Sequence, residues 1–209
     1  MKRPWLSVAA FCAVFFGIII FCVIFGSYSS QYRAQNRTEA AKEQLALDCE
    51  KRLELLPELV SMARKTGALE FIDPVNLDKV NFDQVTETAK MAESILTRIH
   101  SKGPLEKELI LDFEQSQVQV SRKIATLIKG IKDHETLKKS ADFIALEKKF
   151  MEFEFAVFAD THQYNREADY FNTRKEIFPG FLVAKLFDLE EIFFPEITAD
   201  LFTPQKIRT

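Results

Sequence analysis

The chain has 209 residues and sets 28 Lys and Arg against 31 Asp and Glu, a formal net charge of −3, which is room for one membrane segment and one ordinary domain. Its 20 Phe, with only 6 Gly and 7 Pro, exclude a disordered or loop-rich architecture. Basic residues are interleaved with acidic ones beyond the N-terminus, so there is no clustered positive face for phosphates, and nucleic acid is not an expected partner.

Residues 5–26, WLSVAAFCAVFFGIIIFCVIFG, form 22 positions without a charge. As a helix rising about 1.5 Å per residue this run is about 33 Å long, enough for a hydrocarbon core of about 30 Å. A cleaved signal peptide has a shorter apolar core and a small-x-small exit. This run leaves through SYSSQYR, with bulky Tyr28 between serines, and Phe11 and Phe21 precede Cys12 and Cys22 where lipoprotein processing wants a small residue. The expectation is an uncleaved anchor in residues 1–30 and a single-pass protein of the cell membrane. Lys2 and Arg3 lie tight against one end of the run, while Arg33, Arg37 and Lys42 follow the other. The nearer pair favours a cytoplasmic N-terminus but leaves the side of the soluble domain open. Cys49 is the one thiol of the soluble part, so no internal disulfide framework is expected there.

Beyond the anchor, Ala46, Cys49, Leu53, Leu56, Val60 and Ala63 repeat at alternating threes and fours and predict a first amphipathic helix ending near Gly67. The segment to Asn81 reads as a loop. Phe82, Val85, Ala89, Ala92, Leu96 and Ile99 predict a second helix, stopped by SKGP at 101–104. In the third, Ile110, Phe113, Gln117, Val120, Ile124, Leu127 and Ile131 line one face, with Gln117 its only polar member. The fourth is the longest, about 142–178. In it Phe143, Phe150, Val157, Tyr164, Phe171 and Phe178 recur every seven residues, the seam of a coiled-coil-like helix. The predicted fold is all-α: an N-terminal transmembrane helix and an antiparallel four-helix bundle over residues 31–178. The aromatic stripe is read as core rather than as a cofactor box.

Polar residues intrude at two places. Positions three after the seam run Leu146, Phe153, Asp160, Glu167 and Arg174, so the seam turns polar. On the first helix Arg52 and Glu54 flank the core stripe, and Pro57 frees the carbonyl of Leu53. Asn165 and Asn172, seven apart beside the seam, are candidates to donate to that freed carbonyl. Arg52, Glu54, Glu154, Tyr164, Asn165 and Asn172 are thus grouped as a candidate polar cluster, either binding or only structural. His100, His134 and His162 lack a Glu three residues earlier, there is no phosphate loop and no nucleophile elbow. No catalytic residue, metal or cofactor is therefore assigned.

The anchor, KRLELLPELV on the first helix and YNREADYFN followed by EIFPGFLVAKLF at the end resemble the LemA family. Its pattern is roughly Arg-Arg-x-Asp-Leu-Ile-Pro-Asn-Leu-Val, then Tyr-Asn twice at an interval of seven, then Phe-Pro and an apolar tail. Lys51, Arg52, Glu54, Leu55, Leu56, Pro57, Leu59 and Val60 match or substitute closely, as do Phe143, Leu146, Glu154, Tyr164, Asn165, Asn172, Phe178, Pro179 and Ala184. The chain departs at Lys42, where the family usually has Trp, at Glu58 for Asn, and at Phe171 for the second Tyr. The resemblance implies a membrane-anchored bundle of antiparallel helices without established enzymatic activity. A membrane-associated TPM-domain protein is an implied partner.

Two functions from different classes fit this reading. One is a scaffold or protein-interaction module at the membrane; the alternative is a small-ligand-binding sensor-type bundle. An enzyme built on Asp160, Glu167 and Arg174 has composition but no geometry in its favour. The tail, 179–209, is rich in Phe and Leu and is predicted to pack on the bundle or on a protein partner rather than on lipid. The reason is that Lys185 is outnumbered by Asp188, Glu190 and Glu191.

Overall fold

A computed structural model describes residues 4–68, 70–73, 79–100 and 105–195, with side chains from residue 8 onward. Its elements follow in chain order. Helix α1 spans Pro4–Glu54 and α2 Leu56–Arg64; a short hairpin pairs β1, Glu70–Ile72, with β2, Lys79–Asn81; α3 spans Phe82–Ile99 and α4 Lys107–Lys132. A 3-10 turn at Leu137–Lys139 leads into α5, Ala141–Glu176, and a short α6, Gly180–Leu186, follows. The chain is mostly helical and belongs to the all-α class.

Six α-helices, rather than an anchor and four, occur among the described residues, and each difference has a local cause. The apolar run and the first amphipathic stretch are one helix, α1, because no proline interrupts them. Pro57 then splits α2 from α1: Leu55 sits between the two with φ −80° and ψ −16°, and Pro57 occupies the first turn of α2, where its missing N–H costs nothing. Gly67, at φ 75°, closes the stretch after α2 in the left-handed region that a side chain would disfavour. α6 is a restart beyond the end of α5.

The segment read as a loop with room for one short turn contains an antiparallel hairpin, with Phe71 opposite Val80. Both are buried while their neighbours in the strands face solvent. Phe71 also meets Phe82 edge-on, ring centroids 5.5 Å apart. Three-residue strands have too little sequence for a period-two pattern to register, and packing of β1 on α4 stabilises them. Asn81 ends β2 and caps α3 reciprocally with Gln84, its side chain accepting from the Gln84 N–H and the Gln84 side chain accepting from its own. The SKGP stop and Pro74 lie outside the described residues.

The described residues form two compact units, each assembled from distant parts of the chain. One takes residues 4–39 with 166–192; the other takes the described residues between 40 and 165 with 193–195. In the first, Gln31, Ala34, Thr38, Ala168, Phe171 and Val183 are buried, and the small residues among them let helices approach closely. Residues 8–23 are exposed throughout. In the second, α3 and α2 pack on α4, and Leu53, Leu59, Val85, Leu96, Phe113, Ile124, Leu127, Phe143 and Phe150 form the core.

Five of the six heptad residues on α5 are buried: Phe143, Phe150, Val157, Tyr164 and Phe171. Phe178 is the exception, 68% exposed. α5 ends at Glu176, so Phe178 no longer keeps helical phase. The seam's companion stripe also drifts. It includes Leu146, three after Phe143, but then Thr161 and Ala168, four after Val157 and Tyr164, as a straight helix of 3.6 residues per turn requires of a seven-residue repeat.

Candidate functional site

Arg52 comes from the last turn of α1 and is wholly buried. One guanidinium nitrogen, Nη1, donates to Ser121 Oγ of α4 at 2.8 Å and to Glu154 Oε1 of α5 at 2.9 Å. The other, Nη2, donates to Gln117 Oε1 of α4. Ser121 Oγ is also 3.0 Å from Glu154 Oε2. One side chain thus ties three helices, with the planar fork of donors that a lysine could not reproduce. Arg52 Nε has no protein partner in this buried site. Cys49, one turn before Arg52, is fully buried, and burial pushes its thiol up to about 12. It remains a protonated, inert core residue at physiological pH.

A second polar group joins α1 and α5. Asp48 accepts from Gln44 Nε2 at 3.0 Å and from Lys51 Nζ at 2.7 Å, and it faces Asp160 of α5. Burial, and then the hydrogen bond and charge of Asp48, raise the Asp160 carboxyl to about 6. Burial acts against ionisation of Asp48 as well, but Lys51, Asp160 and Gln44 outweigh it and hold Asp48 below the usual carboxylate range. The two carboxyls therefore share a proton over a pH range in which ordinary aspartates are fully ionised.

The residues grouped from sequence fall into separate places. Arg52 and Glu154 meet. Glu54, one turn's fraction further on, is exposed. Tyr164 OH donates to the Phe193 carbonyl at 2.9 Å and Asn165 Nδ2 to the Pro195 carbonyl at 2.7 Å, both within the larger unit. In the other unit Asn172 pairs with Ile192 in both directions, donating to its carbonyl at 2.8 Å and accepting from its N–H at 3.0 Å. The expectation that these amides serve the Pro57 turn is thereby corrected. Pro57 is exposed. The asparagines instead hold the main chain of the C-terminal segment.

Asp160, Glu167 and Arg174 likewise serve different partners: Asp160 faces Asp48, Glu167 is 3.7 Å from Arg37, and Arg174 bonds Tyr170 OH. Gln117 had a sequence signal, as the one polar residue in the core stripe of α4. Ser121 and Asp48 had none, since a serine or an aspartate beside a helical stripe is ordinary surface chemistry. Among the described residues no group of His, Cys, Asp and Glu is arranged to hold a metal ion.

These features define a mostly helical protein in which, among the described residues, one helix, α1, is long and apolar enough to cross a membrane. A model of the LemA family matches residues 41–205, and the chain belongs to that family. The match covers the Arg52, Gln117, Ser121 and Glu154 cluster, the Asp48 and Asp160 pair, and the segment held by the asparagines. Lys42, at the position where the family usually carries Trp, is buried. No curated protein and no solved structure matches the chain. Family membership and the apolar helix together fit a membrane-associated helical protein.

Proposed function

We propose that this chain is a single-pass protein of the cell membrane whose helical domain is a non-catalytic scaffold for another membrane-associated protein. The observation that carries the reading is an open groove between α3 and α4, floored by Met91, Ile95, Leu111 and Val118. Met91 is 61% exposed and Leu111 47%, a soft apolar surface of the kind that adapts to a partner's side chains. Asp112 and Glu114 stand among its lining residues. The complementary partner is an amphipathic helix with an apolar stripe edged by Lys or Arg. A TPM-domain protein is the candidate that family resemblance supplies. The polar cluster around Arg52 is assigned a structural role, because its hydrogen bonds are made within the protein.

The test is purification of the full chain from detergent-solubilised membranes, beside Met91→Lys, Leu111→Lys and, as a control on α5, Phe155→Lys. A one-to-one partner lost with the first two variants and retained with the third supports the reading. A partner unaffected by all three, or none at all, overturns it. A rise in Tm with a small molecule would favour the sensor-type alternative. Proteolysis of intact against broken cells assigns the side on which the domain lies.

A further inference from the structure

Within the smaller compact unit, α6 lies against α1 just beyond the apolar run. Gln31 Nε2 donates to the Gly180 carbonyl at 2.9 Å in a buried contact, and the rings of Tyr28 and Phe187 are 4.5 Å apart. The approach needs a glycine, because a Cβ at Gly180 would strike the Arg174 carbonyl oxygen and come within 2.9 Å of Gln31 Nε2. Val183 turns inward and is buried. The rest of the segment does the opposite. Ile177, Phe178, Phe181, Leu182, Leu186 and Phe187 are between 43% and 68% exposed, an apolar patch that water alone would cover at a cost.

The position of this patch along α1 says what covers it. The charge-free run ends at Gly26. At about 1.5 Å per residue, Tyr28 and Gln31 stand about 3 and 8 Å beyond it, within a headgroup layer that is about 5 to 8 Å deep on each face. Tyr28, whose ring stacks on that of Tyr32 one turn further out with 6.4 Å between centroids, stands at the level where interfacial aromatic belts occur. We propose that α6 and its flanking aromatics are a second membrane contact, lying in the headgroup layer of the same bilayer that α1 crosses. The proposal rests on the anchor reading. It takes neutral headgroups and the upper acyl chains as its ligand, since Asp188, Glu190 and Glu191 offer anionic lipid nothing to pair with. Aromatic and aliphatic burial, rather than charge, is the driving force. This departs from the expectation that the tail avoids lipid: its acidic residues disfavour anionic headgroups but not neutral ones, so one face packs on α1 and the other is free to meet the bilayer.

The experiment uses the full chain with Trp5→Phe, reconstituted in phosphatidylcholine bilayers, with single tryptophans placed by Phe181→Trp, Leu186→Trp and, as a deep reference, Phe16→Trp. Phosphatidylcholine brominated near the headgroup or near the chain ends reports depth. The expected result is strong quenching of positions 181 and 186 by the shallow bromines, weaker quenching by the deep ones, and acrylamide quenching at least threefold below that of free indole. Position 16 should show the reverse depth order. Background bromolipid quenching at 181 and 186 with position 16 quenched overturns the interfacial contact alone, whether acrylamide finds those indoles wet or covered by protein. An unquenched position 16 overturns the anchor and the contact together.

Discussion

Arg52 and Glu154 stand 102 residues apart in sequence and 2.9 Å apart in space, Nη1 to Oε1, with the arginine fully buried and the carboxylate 20% exposed. Burying such a pair gains little over an apolar pair of the same shape, but removing one member strands the other. Arg52→Met should lower the unfolding free energy of the detergent-solubilised chain by about 3 to 5 kcal/mol, since Glu154, Gln117 and Ser121 would all lose their donor. Arg52→Lys should recover only part of that loss. Chemical denaturation of the two variants, with Glu154→Gln for a double-mutant cycle, measures it; additive effects would mean that the pair is not coupled.

Phe150 and Phe155 separate burial from hydrophobicity on one helix. Phe150 is 1% exposed and Phe155 72%. Phe150→Ala should cost about 3 to 5 kcal/mol through lost transfer energy and a cavity, whereas Phe155→Ala should stay within about 0.5 kcal/mol. Thermal unfolding of both variants in one detergent decides it, and equal effects would contradict the heptad core.

The Asp48 and Asp160 pair predicts a pH dependence with a definite sign. Asp160 titrates near 6 in the folded protein against 3.8 for a free side chain, so the folded state holds the extra proton between those values. Its contribution is favourable below about 4 and is lost as pH rises through about 6. Because Asp160 is partly solvated, the loss is on the order of 1 kcal/mol. Asp160→Asn should therefore be more stable than wild type at pH 7, with the gap closing by pH 4. A gap independent of pH would rule out the shared proton. Asp48 acts in the opposite sense: its lowered value adds stability above about 3.8, lost as pH falls further.

Asn172 and Asn165 hold backbone rather than side chains of the C-terminal segment. Asn172→Ala removes both bonds to Ile192 and should cost about 1 to 3 kcal/mol locally, whereas Tyr164→Phe removes one bond and should cost about 1. Hydrogen exchange at the Ile192 amide reads the first directly. Protection unchanged in Asn172→Ala would show that apolar packing alone holds the segment.

Seven residues separate these two asparagines, and the repeat was visible as a pattern before its purpose was. Period and composition are local properties. They sufficed for the all-α class, for the membrane-spanning length of the N-terminal run and for the core stripes of α3, α4 and most of α5, because burying an apolar face at 3.6 residues per turn demands that spacing wherever the helix ends up. The same locality explains the failures at Phe178 and at the β hairpin. A helix terminus ends the phase relation, and strands of three residues depend on what they pack against.

Partners of polar side chains are a different matter. A guanidinium is satisfied by any acceptor within about 3 Å, so Arg52 could have met many residues, and sequence spacing does not rank them. Only the packing of α1 against α4 and α5 brings Gln117, Ser121 and Glu154 within reach. Nor does an asparagine announce that it will grip main chain, since every residue offers the same N–H and C=O. The sequence determined which faces must be buried; which groups meet inside them follows from the three-dimensional arrangement, because hydrogen bonds act over a few ångströms and tolerate many partners.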